Sequence, residues 1–209
     1  MMMLKKTFLA VAGTMLMAVV FSAGASAASM TAIQKAAGTM QSISADFIQE
    51  KHMKILVKPL ISKGIIRFQS PDALRFEYRE PIQNILIMQG KRVSRYIGKD
   101  GTFVRDNAAA MGAMTVVMDE ISQWLKGNFN TSVFDAAVEE APAPGQIILT
   151  PKDKAMAHFI QDIVLVLSEQ PGIFKEVVIR ENQDSYTRLR FENVQLNQSI
   201  DPESFSAPK

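Results

Sequence analysis

The two histidines are the residues best suited to chemistry, because imidazole is the usual general base near neutral pH and a common metal ligand. His52 and His158 are far apart in the chain, and neither stands in an HExxH or other paired-ligand spacing. His158 follows Asp153 within a short segment of lysine and aspartate, which is typical of a solvated turn. We therefore predict that neither histidine is catalytic and that the chain has no metal site.

The remaining candidates for catalysis lack the required spacing. The carboxylate pairs Glu139-Glu140 and Asp119-Glu120 are adjacent residues, which do not share one face of a helix or strand. No serine lies in a G-x-S-x-G elbow, and no glycine-rich loop suits a phosphate. The chain contains no cysteine, so thiol chemistry and disulfides are excluded. These features favour a binding protein that needs no cofactor over an enzyme.

The N-terminal residues predict export. Lys5 and Lys6 precede an apolar run from Phe8 to Phe21, and small residues end the segment at Ala27. This pattern predicts a signal peptide over residues 1–27 that is cleaved after Ala27, leaving 28–209 as a single domain in the periplasm. An uncleaved membrane anchor is the alternative, although the apolar run is short for a membrane span.

Composition restricts the possible partners of the exported domain. Without the two lysines of the predicted signal peptide, the remaining basic residues equal the 21 acidic residues in number. Recognition of nucleic acid would require a basic face, so we expect no nucleic-acid partner. After the signal peptide, no apolar stretch approaches the roughly 20 residues that cross a bilayer.

Hydrophobic periodicity predicts two helices and many short strands. Apolar residues at helical spacing indicate a first helix from Met30 to about Ser44 and a second from Met111 to Lys126. A period of two begins at Ile43, and Lys99-Asp100-Gly101 suits a type I′ hairpin turn. Further strands are predicted around 61–68, 74–78, 85–88, 93–97, 146–150, 159–167, 174–180 and 187–191.

The order of these elements predicts the fold class. Consecutive strands are separated by short turns without crossover helices, which favours an antiparallel sheet over a doubly wound α/β fold. Two helices are too few to cover a long sheet from outside. We therefore expect a mainly β fold with an α lid, in which a curved, incomplete barrel surrounds an apolar interior and the helices lie across its opening.

The second helix allows two interpretations. Met111, Met114 and Met118 form one stripe, which in most helices simply faces a core. Because methionine is flexible and polarizable, the same stripe also suits a surface that adapts to apolar ligands. A curled sheet with few covering helices can enclose more space than its side chains fill, and that space can hold a ligand.

Several motifs, in the same order, resemble the periplasmic lipoprotein carrier family, LolA. The segment KGIIRFQSPDALRFEYREP, residues 63–81, is similar to the family's signature with Gly, Pro, Leu-Arg-Phe and Pro. Phe47-Ile48-Gln49 resembles the F-x-Q that follows the first helix, and Leu149-Thr150-Pro151-Lys152 resembles the L-x-P-K strand end. Ile200–Phe205 is similar to the D-P-x-x-F near the C-terminus.

This resemblance implies a monomeric carrier whose cavity binds the acyl chains of a lipoprotein, or another lipid. The carrier would receive its cargo from release machinery in the inner membrane and pass it to an acceptor in the outer membrane. The lipid-binding residues implied by the likeness are Ile66, Phe68, Leu74, Phe76, Tyr78, Ile85 and Ile87 on strands, with Ile33, Met40, Met111, Met114, Met118 and Ile121 on helices.

One position departs from the family pattern. Studied carriers have an arginine before the proline of the signature, where it bonds the lid, and this chain has Ser70. A neutral hydroxyl makes a weaker hydrogen bond, with a net value of about 1 kcal/mol, so Ser70 would gate the lid differently.

A glycolipid carrier of the same fold and a sensor domain that detects envelope lipids are the alternative functions. A small hydrolase or a structural envelope protein is a third alternative, which the lack of catalytic groups disfavours.

Overall fold

A single antiparallel sheet of eleven strands organises the chain in a computed structural model that describes residues 29–106, 111–140 and 145–208. The strands are β1 (Ser42–His52), β2 (Leu60–Gln69), β3 (Ala73–Glu80), β4 (Asn84–Gln89), β5 (Arg92–Lys99), β6 (Thr102–Asp106), β7 (Phe134–Glu139), β8 (Gln146–Pro151), β9 (Asp162–Leu167), β10 (Phe174–Arg180) and β11 (Tyr186–Leu196). The helices are α1 (Met30–Gly38), α2 (Met111–Leu125), α3 (Lys154–Ala157) and a 3₁₀ helix, Pro202–Phe205. The predicted signal peptide lies outside the described residues.

The strand order makes the sheet an incomplete barrel. It runs β6-β5-β4-β3-β2-β1-β11-β10-β9-β8-β7, and every neighbouring pair is antiparallel. Strands β6 and β7 are the two edges, and within the described residues they do not pair with each other. Helix α2 lies between them in the chain and contacts β5. The predicted fold class, a curved antiparallel sheet with a helical lid, is confirmed.

Irregularities in the pairing explain why the sheet curls. The register shifts between Ser44 and Asp46 in β1, between Lys63 and Gly64 in β2, and between Phe174 and Glu176 in β10. An extra residue in one strand bends it and increases the local twist. The bends leave one concave face, which alternate side chains of each strand enter.

Two apolar clusters fill much of the concave face. The first surrounds Phe47, Phe68 and Leu74, and the second surrounds Ile147, Leu149 and Leu165. Helix α2 contributes Met118 to the first cluster and Trp124 to the second, so it joins the two halves of the barrel. Full burial of one such side chain contributes about 1.5–3 kcal/mol, so these clusters are a large source of stability in a chain that has no disulfide.

Most predicted elements are present, with two corrections to their boundaries. The first helix ends at Gly38 and not near Ser44, because Thr39 leaves the helix and β1 begins at Ser42. The predicted strand 159–167 is shorter: β9 starts only at Asp162, after the short helix α3. Asp153 caps that helix by accepting a hydrogen bond of 2.6 Å from the Ala155 N–H.

The predicted hairpin turn between β5 and β6 is confirmed. Asp100 and Gly101 have φ angles of 51° and 78°. A type I′ turn requires positive φ at both central residues, which is why Asp-Gly is favoured there.

Candidate functional site

A cavity of about 500 Å³ lies between the concave face of the sheet and helix α2. Its wall is mostly apolar and comes from both halves of the barrel and from the helix. On one half, Ile66, Phe76 and Leu86 are direct cross-strand neighbours. On the other half, Val177 lies opposite both Leu189 and Leu165. The strand register thus brings hydrophobic rows from distant parts of the chain to one space.

Phe68 and Leu74 lie one row beyond the cavity. They pair with each other, and Leu74 pairs with Met88, at the end of the barrel where β2 turns into β3. Both side chains are fully buried in the first apolar cluster and do not line the cavity. These two predicted wall residues therefore close one end of the barrel and limit the depth of the cavity.

Ile85 and Ile87 lie on the opposite face of the sheet from the one predicted. They are buried beneath the 3₁₀ helix, where they pack with Phe205. Strand β4 is apolar on both faces, so alternation does not reveal which side chains point inward. Leu86 takes the inward position on this strand and lines the cavity.

The two predicted residues of α1 lie outside the cavity wall. Ile33 is buried in the second apolar cluster with Trp124, and Met40 packs against the first cluster. The helix rests on the turn between β9 and β10, where a Cβ on Gly172 would stand 2.6 Å from the Ala37 nitrogen. Helix α1 therefore closes the end of the barrel.

Helix α2 forms the roof of the cavity. Met114, Met118 and Ile121 line it, whereas the side chain of Met111 lies outside the described part of the chain. Val116 and Val117 also line the cavity and are 41% and 48% exposed. Ile82, in the β3–β4 loop, lines it while 68% exposed. Side chains that both line a cavity and contact solvent mark its opening, so we call Ile82, Val116 and Val117 the mouth.

Several polar side chains interrupt the apolar wall, and the two largest of them, Tyr78 and Arg95, have hydrogen-bond partners. The Tyr78 hydroxyl donates a hydrogen bond of 2.9 Å to Gln49 Oε1, and burial raises the pKa of Tyr78 to about 12. Arg95 donates from Nε to Asn84 Oδ1 at 3.2 Å and pairs with Asp106 at 3.2 Å. Because their polar groups are paired, these side chains can border an apolar ligand without a large desolvation cost.

Glu120 connects the roof to the chain that follows it. This carboxylate on α2 is 5% exposed and accepts a hydrogen bond of 2.9 Å from the Thr131 hydroxyl. Burial raises its pKa, while Thr131, the nearby Trp124 indole and Lys152 oppose that effect. The indole nitrogen lies outside hydrogen-bond geometry. The Glu120–Thr131 contact holds the C-terminal half of α2 against the segment that leads into β7.

Ser70 lies in the β2–β3 turn, at the closed end of the barrel. Its backbone N–H donates to the Gln41 carbonyl at 2.8 Å. Within the described residues, no hydrogen bond joins its hydroxyl to α2. A gating role for Ser70 stays a prediction.

The histidines lie outside the cavity wall. His52 stacks on Tyr186 with ring centroids 4.3 Å apart, and exposed His158 ends helix α3. Across the described ranges, no group of three or more His, Cys, Asp or Glu side chains is placed to hold a metal ion. No helix in those ranges is long and apolar enough to span a membrane.

Sequence reasoning missed the half of the wall formed by β9, β10 and β11. Val177, Ile179, Leu189 and Phe191 all line the cavity. In β11, the alternation of Leu189 and Phe191 with charged residues was a usable signal, because half-buried strands show that period. Arg95 carries no such signal, since an arginine on a strand usually faces solvent.

A family comparison agrees with this architecture. The model of the family described as "Outer membrane lipoprotein carrier protein LolA" matches residues 38–208, which is most of the chain. The chain belongs to the LolA family. The match includes all eleven strands, helix α2 and the mouth, and it begins at the last residue of α1.

Individual relatives are distant. An outer-membrane lipoprotein carrier protein of Nitrosomonas europaea is 23% identical over 205 residues, covering 97% of this chain and 94% of the relative. Among solved structures, a DUF1329 family protein from Desulfovibrio piger is 9% identical, with a TM-score of 0.49 over 85% of this chain and 94% of that one. A LolA superfamily protein from Nitrosomonas europaea is 8% identical, with a TM-score of 0.46 over 85% and 97%.

Proposed function

We propose that this protein carries the acyl chains of lipoproteins through the periplasm, from the inner to the outer membrane. The supporting observation is the unfilled apolar cavity beneath α2 in a chain of the LolA family. Its wall is mostly hydrophobic, and the Tyr78 and Arg95 polar groups in it are paired, which suits a hydrocarbon chain better than a polar substrate.

The energy of acyl burial determines how such a carrier works. Each buried methylene contributes about 0.8 kcal/mol, so one 16-carbon chain represents on the order of 12 kcal/mol. Release into water would be far too slow to be useful. Loading and delivery are therefore direct transfers between apolar sites, from release machinery in the inner membrane to an acceptor in the outer membrane. A monomer with transient partners meets this requirement.

The size of the cavity implies that the roof moves. A volume of about 500 Å³ is that of a site for one drug-sized ligand. A lipoprotein with several acyl chains needs more space, and α2 is the part of the wall that is not held by strand pairing. Met114 and Met118 are unbranched and flexible, so they can repack around different chains.

Bound lipid provides the first test. The mature protein is purified without detergent, extracted with organic solvent and analysed by mass spectrometry. Acyl-bearing species at near-stoichiometric amounts support carriage, and a lipid-free protein from cells that make lipoproteins contradicts it.

Two neighbouring valines on β10 provide a matched pair of variants. Val177 lines the cavity, whereas Val178, equally half-buried, points to the outer face. Val177→Glu places a carboxylate among the acyl chains and should abolish lipid binding, while Val178→Glu should leave it intact. Equal lipid content in both variants would contradict the assignment of the cavity.

A further inference from the structure

The loop between β1 and β2 presents a cluster of exposed apolar side chains. In this loop, residues 53–59, Ile55 is 82% exposed, Leu56 38% and Val57 101%. Single exposed hydrophobic residues are normal on protein surfaces, but a contiguous group marks an interaction site. The cavity does not include any of the three. Their exposure is therefore not explained by cargo binding.

The loop lies at the same end of the barrel as the mouth. Because all neighbouring strands are antiparallel, the β1–β2 and β3–β4 loops and the segment between β8 and β9 emerge at one end. The β3–β4 loop carries Ile82, 68% exposed, and the β8–β9 segment carries Phe159, 71% exposed. The most exposed hydrophobic side chains of the described residues thus share the end through which cargo would pass.

The base of the loop is held in place. His52 stacks on Tyr186, with the rings 14° from parallel. Lys54 pairs with Asp184 at 3.0 Å, and the Leu56 N–H donates to the Met53 carbonyl at 2.9 Å. A loop that already has its shape loses less conformational freedom when it binds. The apolar tip of the loop, Ile55, Leu56 and Val57, is therefore preorganised for binding.

Charge favours a lipid surface as the partner. Lys54 and Lys58 flank the apolar tip, and Lys58 makes no ion pair with any described residue. The nearby acidic groups are each paired with a lysine: Asp184 with Lys54, Glu80 with Lys63 and Glu181 with Lys51. This leaves the Lys58 ammonium beside the aliphatic side chains, an arrangement that matches the phosphate and acyl layers of an anionic bilayer.

The shape of the tip also favours a bilayer over a folded protein. The side chain of Val57 is fully exposed, and the open depression beside the loop is lined mainly by polar groups, among them Lys54, Gln183 and Asp184. A protein partner would need a complementary pocket, whereas a bilayer accepts protruding aliphatic groups of any arrangement. We infer that the β1–β2 loop docks the mouth end of this protein on anionic phospholipid by inserting Ile55, Leu56 and Val57.

Sedimentation with lipid vesicles tests this inference with the full mature chain. One set of vesicles contains phosphatidylglycerol and phosphatidylethanolamine, and the other contains phosphatidylcholine alone. We expect binding to the anionic vesicles that weakens with salt, and we expect the double variant Ile55→Ser/Val57→Ser to bind at least about tenfold more weakly. Val104→Ser, which changes an exposed valine on edge strand β6, is the matched control and should bind like the wild type.

The inference would be overturned by the absence of sedimentation of the wild type with anionic vesicles, by equal binding to both kinds of vesicle, or by unchanged binding of the double variant. Defective delivery to a protein acceptor by a variant that still binds vesicles would assign the loop to a protein partner and also overturn it. The acyl content of the double variant is measured in parallel. Because these side chains lie outside the cavity, it should match the wild type, which separates failure of docking from failure of the carrier function.

Discussion

The phenyl ring of Phe47 occupies the space next to Gly64 on the neighbouring strand. A Cβ on Gly64 would stand 2.6 Å from Phe47 Cζ and would also collide with the Glu77 carbonyl. The ring uses this space to pack against Phe76 and Tyr78, with centroid distances of 4.5 and 5.1 Å. The glycine of the sequence signature thus allows three aromatic rings to meet beside the cavity.

Gly64→Ala should therefore destabilise the protein by about 1–3 kcal/mol, because neither the ring nor the backbone carbonyl has room to retreat. Urea denaturation measures the change in the free energy of unfolding. Gly112→Ala is the matched control: a Cβ there meets nothing within 4 Å, and helix α2 should gain up to about 1 kcal/mol. Equal stability of the two variants would contradict this account.

Loading should loosen the roof of the cavity. Helix α2 covers the cavity without being held by strand pairing, so acyl chains that enlarge the cavity must displace it. Hydrogen exchange of α2 should increase when the protein is loaded, while β1, paired on both sides, should remain protected. Unchanged protection of α2 in the loaded protein would show that cargo binds without lid movement.

Glu120 should make stability depend on pH. Because burial raises its pKa in the folded protein, the folded state holds this proton more tightly than the unfolded state. Stability is therefore lost as pH rises from the unfolded glutamate pKa, about 4.3, through the raised folded value. Glu120→Gln removes this loss. The free energy of unfolding of the variant should therefore rise relative to that of the wild type between acid and neutral pH.

Denaturation at several pH values measures this difference. Glu169→Gln, which changes an exposed glutamate in the β9–β10 turn by the same substitution, serves as the control. Asp119 and Lys152 are the charges that act on Glu120. If the difference in the free energy of unfolding between Glu120→Gln and the wild type is the same at all pH values, burial of Glu120 does not make stability depend on pH.

Ile85, Ile87 and Phe205 form an apolar cluster on the outer face of the sheet. Substitution in this cluster should lower stability without changing lipid binding. Phe205 is 4% exposed and packs on Ile85 and Ile87, on the face away from the cavity. Phe205→Ala should cost about 3–5 kcal/mol, measured by urea denaturation. The lipid bound per folded molecule should not change, and a loss of lipid binding would show that the two faces of β4 are coupled.

The inward-facing side chains of a strand could be predicted only where the strand is covered on one face. In β3, Leu74, Phe76 and Tyr78 alternate with charged residues, so the inward set could be predicted. In β4, the 3₁₀ helix covers the outer face, and both sets of side chains are apolar. No pattern within β4 distinguishes Leu86 from its neighbours.

The extent of the cavity could not be predicted either. Leu74 and Phe76 are alternate residues on one face of one strand, yet Leu74 lies in the packed end and Phe76 borders the cavity. Their different positions follow from the register with β2 and β4 and from where α1 and α2 cross the barrel. These are long-range relationships, whereas hydrophobic periodicity is local.

Because β6 and β7 do not pair within the part of the chain that the structure describes, the width of the sheet is not fixed by a closed ring of strands. In a closed barrel, widening would break a ladder of backbone hydrogen bonds. Within the described residues of this chain, the two margins of the sheet can spread apart while every existing strand pair stays intact. The barrel can therefore widen, and the cavity of about 500 Å³ can enlarge, without loss of strand pairing.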